Sequence, residues 1–224
     1  MLKQKLACLI CIIFPIPVFA SAIYNTLPEE VSPDNKYIFY SHGYIVEGDD
    51  PKPKHPRWGV YDYPAILNAL SATKATIVAE HRAANSDPFA HARKLKQQVL
   101  NLLKQNVPAK NITLVGFSRG GFITGVASSL LANDGINYVI LAACTSGLAN
   151  REEIQLHGHI LSIYETSDSV GSCKGIVGRN PETVASFQEI AISTGKEHGA
   201  FYQPLTDWVE PLTSWIALSQ EEKK

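Results

Sequence analysis

The chain has 224 residues, 45% of them hydrophobic and 18% charged, with a formal net charge of -1. That length and balance suit one domain with a full core and exclude intrinsic disorder. With no basic excess, recognition of nucleic acid through charge is excluded as well.

At the N-terminus, Lys3 and Lys5 precede an apolar run from Leu6 to Phe19 that ends in Ala20-Ser21-Ala22. This is the pattern of a secretory signal peptide with small residues at the cleavage site, and the run is short for a bilayer span. Residues 1–22 are therefore expected to be removed, leaving residues 23–224 as the mature domain with no membrane span. An uncleaved anchor is the competing reading. Cleavage would remove Cys8 and Cys11 and leave Cys144 and Cys173 as a lone pair. Export places that pair in an oxidising compartment, a bacterial periplasm or the exterior, where the two are either bonded or free. The mature chain has no C-x-x-C or H-E-x-x-H arrangement, so neither a metal nor a cofactor is expected.

Strand-length apolar runs then alternate with helix-length segments, the rhythm of a parallel sheet covered on both faces. Lys36–Ser41 is the first such run, and His42-Gly43 follows it. A segment rich in Pro, Asp, Lys and His, Gly43 to Tyr63, reads as a surface loop. Ala75–Glu80 is the second strand. Pro88–Gln105 carries a helical apolar stripe at Phe89, Ala92, Leu95, Val99 and Leu102 with a basic opposite face. Ile112–Phe117 is a third strand, and the small, apolar Gly120–Ala132 reads as a helix buried against mid-sheet. Tyr138–Ala143, His159–Tyr164 and a weaker Glu189–Ser193 complete about six strands. Thr206–Leu218 is a closing helix that Pro211 is expected to kink or restart. The fold class is α/β.

Gly116-Phe117-Ser118-Arg119-Gly120 lies between the third strand and the small-residue helix. G-x-S-x-G in that context is a nucleophile elbow, in which flanking glycines let strand and helix pass closely around a strained, exposed serine. The alternative is a tight glycine turn with an incidental serine. On this motif and its setting the chain resembles the alpha/beta-hydrolase family from Lys36 to about Leu218. The resemblance implies a mostly parallel sheet and a Ser–Asp–His order along the chain. After the fifth strand, Tyr164-Glu165-Thr166-Ser167-Asp168 puts Asp168 in the acid's place, with Glu165 as the competing carboxylate where the family has glycine. After the last strand, Gly195-Lys196-Glu197-His198-Gly199 offers His198 as the base. His42-Gly43-Tyr44 is similar to the family's H-G-x motif, so the backbone N–H groups of Tyr44 and Arg119 would form an oxyanion hole, with His42 structural.

The resemblance implies an exported serine hydrolase that cleaves an ester or related acyl bond of a small molecule through an acyl-enzyme. Acyl transfer, peptide hydrolysis and non-catalytic binding on the same fold are the alternatives. Glu80 and Arg82 end the second strand on the ligand-binding edge of the sheet, where they are candidate substrate contacts. With Lys52, Lys54, Arg57 and Arg119 they would make a basic mouth, or else they are solvated loop charges. Phe117, Trp58 and Tyr61 either line an acyl pocket or pack the core. A Cys144–Cys173 bond would brace the loop bearing Asp168.

Overall fold

The computed structural model describes residues 23–221, so the expected signal peptide lies outside the described residues. In chain order the elements are β1 (Ile23–Tyr24), β2 (Tyr37–Ser41), β3 (Lys54–His55), β4 (Gly59–Val60), α1 (Tyr63–Ser71), β5 (Thr76–Val78) and α2 (Pro88–Lys104). There follow β6 (Ile112–Phe117), α3 (Arg119–Leu131), β7 (Asn137–Leu141), α4 (Ser146–Ala149), β8 (Gly158–Glu165), α5 (Lys174–Val177), β9 (Val184–Ile192) and α6 (Thr206–Glu221).

Seven strands form one sheet in the order β1-β5-β2-β6-β7-β8-β9, every neighbouring pair parallel. Both faces are covered, which is why the inner strands read as continuous apolar runs. Along β2, Ile38 and Tyr40 enter one buried cluster while Tyr37 and Phe39 enter the other. The first cluster holds Ile66 and Leu70 of α1 with Trp208, Leu212 and Ile216 of α6. The second holds Leu95, Val99 and Leu102 of α2 with Ile123 and Val126 of α3. The chain runs from β2 outward to β5, then returns past β2 to β6. That reversal makes the carboxyl ends of β2 and β6 a topological switch point, the place where open α/β sheets bind ligands.

All six expected strands are present, and β1 adds a two-residue edge strand. β9 starts at Val184, before the expected Glu189, because its early residues are half-exposed on the sheet edge and carry little apolar pattern. The expected loop between Gly43 and Tyr63 is more structured than its composition suggests. It contains the antiparallel β3–β4 hairpin and buries Val46 and Tyr61, whose hydroxyl meets that of Tyr40 at 2.7 Å. Helix α1 was unforeseen although its start is marked: the Asp62 carboxylate accepts from Ala65 N at 3.0 Å, and a proline opens the helix. Helix α6 runs through Pro211 without a break.

Candidate active site

Ser118 is the single residue between β6 and α3, with φ 54° and ψ -118°. Such a backbone costs a non-glycine residue on the order of 1–3 kcal/mol and persists only where the surroundings enforce it. Here they do. A Cβ on Gly116 would lie 2.1 Å from the Gly120 carbonyl oxygen, and one on Gly120 would lie 1.8 Å from the Ser41 carbonyl oxygen. The first turn of α3 is thus pressed onto the ends of β2 and β6, and the serine N–H donates to Leu141 O at 2.9 Å.

Ser118 Oγ is 2.8 Å from His198 Nε2, and His198 Nδ1 is 2.6 Å from Asp168 Oδ2. A carboxylate accepts only, so Nδ1 carries the proton and Nε2 is free to accept from the serine hydroxyl. The Asp168 side chain is 4% exposed and that of His198 13%. The imidazole is held between Phe117 and Trp58, with ring centroids 4.8 and 5.3 Å away. Trp58 Nε1 in turn donates to Glu197 at 3.0 Å, and Arg57 donates to the same carboxylate. These two hydrogen bonds hold the Glu197 pKa below its ordinary value. The reading of the sequence gave Glu197 no role, although it directly precedes His198.

Glu165, the competing acid, points elsewhere. Its buried carboxylate accepts from the N–H groups of Ser167 and Thr194 at 2.9 Å and of Gly195 at 3.2 Å, and from the Ser167 hydroxyl. Burial raises its pKa, but these hydrogen bonds outweigh burial and bring it below the ordinary value. Glu165 therefore ties the Asp168 turn to the strand end that leads into His198.

On the other side of Ser118, Gly43 leads into a 3-10 turn over Tyr44–Val46, and Arg119 opens α3. The Arg119 guanidinium stacks on the Tyr44 ring at 4.9 Å, donates to Ser86 O at 2.6 Å and meets the Glu47 carboxylate at 3.1 Å. The Glu47 side chain is 2% exposed, and the same oxygen faces Arg82 Nε at 3.5 Å. His42 is fully buried and accepts from Arg82 N at Nε2, 2.9 Å away. Burial first, and Arg82 next, lower the His42 pKa to about 2, so the ring is neutral and structural.

Two candidate substrate contacts, Arg82 and Glu80, need correction, and Phe117 takes the core-packing one of its two readings. Arg82 is 1% exposed, its Nη2 donating to the His42 carbonyl oxygen and its Nε facing Glu47 at 3.5 Å, so it belongs to no open mouth. Glu80 pairs with Lys94 at 2.6 Å on the outside of α2. Phe117 is also 1% exposed and packs beneath the imidazole, against Phe201 and Tyr202. The strand-end position suggested an edge that reaches ligand, but the 42–48 segment covers this one.

The cleft at Ser118 is about 250 Å³ and is bounded by Phe122, Ala142, Ala143, Thr145, Val170 and His198. A disulfide joins Cys144 to Cys173, Cα atoms 5.2 Å apart. It fastens the wall of small residues after β7 to the end of the segment that bears Asp168.

No family model matches the chain, and no curated protein matches it. Solved structures do. An esterase/lipase from an uncultured bacterium superposes with a TM-score of 0.59 at 11% identity, over 84% of this chain and 77% of that one. A truncated carbohydrate esterase from gut microbiota gives 0.56 at 15%, over 87% and 89%. A variant of Arabidopsis thaliana SOBER1 gives 0.54 at 14%, over 83% and 100%. At such identities the likeness shows the fold, and the chain has the alpha/beta-hydrolase fold.

Proposed function

We propose that this chain is an exported serine hydrolase that cleaves a small ester through an acyl-enzyme. The observation that carries the reading is the continuous hydrogen-bond path from Ser118 Oγ through His198 to Asp168, at 2.8 and 2.6 Å. His198 Nε2 takes the hydroxyl proton as Ser118 attacks the acyl carbon. Asp168 holds the imidazolium that forms, and His198 then returns the proton to the leaving alcohol. Water repeats the sequence on the acyl-enzyme. The backbone N–H groups of Tyr44 and Arg119 receive the developing oxyanion, aided by the N-terminus of the 13-residue helix α3.

A cleft of about 250 Å³, walled by Ala142, Ala143 and Thr145, suits a short acyl group better than a fatty chain. Export rests on residues 1–22 and agrees with the disulfide. Among the described residues no helix is long and apolar enough to cross a membrane.

Labelling of the mature protein with a fluorophosphonate, beside Ser118→Ala and a series of p-nitrophenyl esters, tests the proposal. The expected result is labelling that vanishes in the variant and hydrolysis that declines from acetate to octanoate. Well-folded protein that neither labels nor hydrolyses any ester would instead be a binding protein on this fold.

A further inference from the structure

Beneath the expected oxyanion hole two buried charges, Glu47 and Arg82, converge with the partly exposed Arg119. Glu47 sits at the C-terminal end of the Tyr44–Val46 turn, and its N–H closes that turn onto Tyr44 O at 2.9 Å. Its carboxylate meets Arg119 Nε at 3.1 Å and Arg82 Nε at 3.5 Å. Arg119 is itself the first residue of α3, so its backbone N–H and its side chain serve the two halves of one contact. Arg82 grips the preceding segment at the His42 carbonyl oxygen, and its own carbonyl accepts from Gly48 N at 3.0 Å. One carboxylate therefore joins the two chain segments that would present the oxyanion donors, Tyr44 on one and Arg119 on the other.

The geometry points to Glu47 as a positioning residue that sets the spacing of the Tyr44 and Arg119 N–H groups. This inference rests on the serine-hydrolase reading above. Hydrogen-bond donors aimed at a developing charge act only when placed beforehand, and a shift of a few tenths of an ångström weakens them in the transition state. Substrate in its ground state asks little of them. The arrangement also keeps a net positive charge near the first turn of α3, since two guanidinium groups face one carboxylate and His42 is neutral.

The experiment compares wild type with Glu47→Gln, which preserves shape and removes the charge. The expected result is a kcat lower by about 10- to 100-fold, short of the loss of a whole donor, with KM within about twofold. Affinity for a boronic acid that mimics the tetrahedral adduct should fall by the same factor as kcat/KM, while binding of the product carboxylate is retained. A purely structural role would lower thermal stability without separating the two inhibitors. If Glu47→Gln does not fold, Arg119→Gln releases the same contact from a partly exposed position, and the same split is expected of it. An active wild type with an unaltered kcat in the folded variant overturns this inference alone. A wild type that neither labels nor hydrolyses esters overturns the serine-hydrolase reading, and this inference with it.

Discussion

Ser118 stands between two polar networks of opposite character. The path through His198 and Asp168, on the proposed mechanism, moves a proton: it opens onto a cleft, and Nε2 of its central ring faces the Ser118 hydroxyl. The network through Glu47, Arg82 and Arg119 moves nothing. Its carboxylate is 2% exposed, and its charges only hold backbone segments in place. The difference teaches that one site can divide its labour between a hydrogen-bonded path suited to catalysis and a set of paired charges suited to holding backbone in place.

Substitutions should separate the two. Ser118→Ala is expected to lower kcat by about 10⁶-fold, with unchanged thermal stability, because it removes the attacking atom and nothing that packs. Next, Asp168→Asn should cost about 10⁴-fold in kcat by favouring the wrong imidazole tautomer. Glu165→Gln should chiefly lower stability, by about 1–3 kcal/mol, since its acceptors are buried among backbone donors. If Glu165→Gln proved the more damaging to kcat in a folded protein, the two carboxylates would exchange roles.

Reduction of the Cys144–Cys173 bond, which spans 29 positions, should cost about 3–4 kcal/mol and roughly 10 °C in Tm. A scan with and without reductant reads this directly. An effect that depends on pH concerns His91, whose pKa is lowered to about 4, first by burial and then by Arg82. A histidine with a folded value below its unfolded value of about 6.5 contributes stability that is complete above that pH and lost as pH falls toward 4. The unfolding free energy read from denaturant titrations between those pH values should thus fall less steeply in His91→Gln, by about 1.4 kcal/mol per pH unit. An equal slope in both proteins would place His91 outside the buried network's field.

The residues of the hydrogen-bond path from Ser118 to Asp168 were named from the sequence, because they are residue types at ordered places: a serine between glycines after a strand, then Asp168 and His198 past later strand ends. The strands that carry them were legible for the same reason, apolar on both faces. The holding network was not. Glu47 and Arg82 are common charges on connecting segments, and only the three-dimensional reversal at β2 brings them beside Arg119. The contact of Glu197 with Trp58 was hidden likewise, inside a stretch whose Lys and Gly content signals surface. Conversely, Arg82 looked like a ligand contact because charge at a strand end carries no mark of whether a later loop will cover it.

The crowding around the elbow bears on the lineage of such a chain. Gly116 and Gly120 admit no side chain without displacing backbone atoms 2.1 and 1.8 Å away, whereas Ser118 supports no packing that an alanine would lose. If the proposed chemistry holds, a descendant can shed it in a single codon and keep its shape, free to be selected as a carrier or receptor of small molecules. The glycines allow no such freedom: a side chain at either one forces the backbone at the elbow to move.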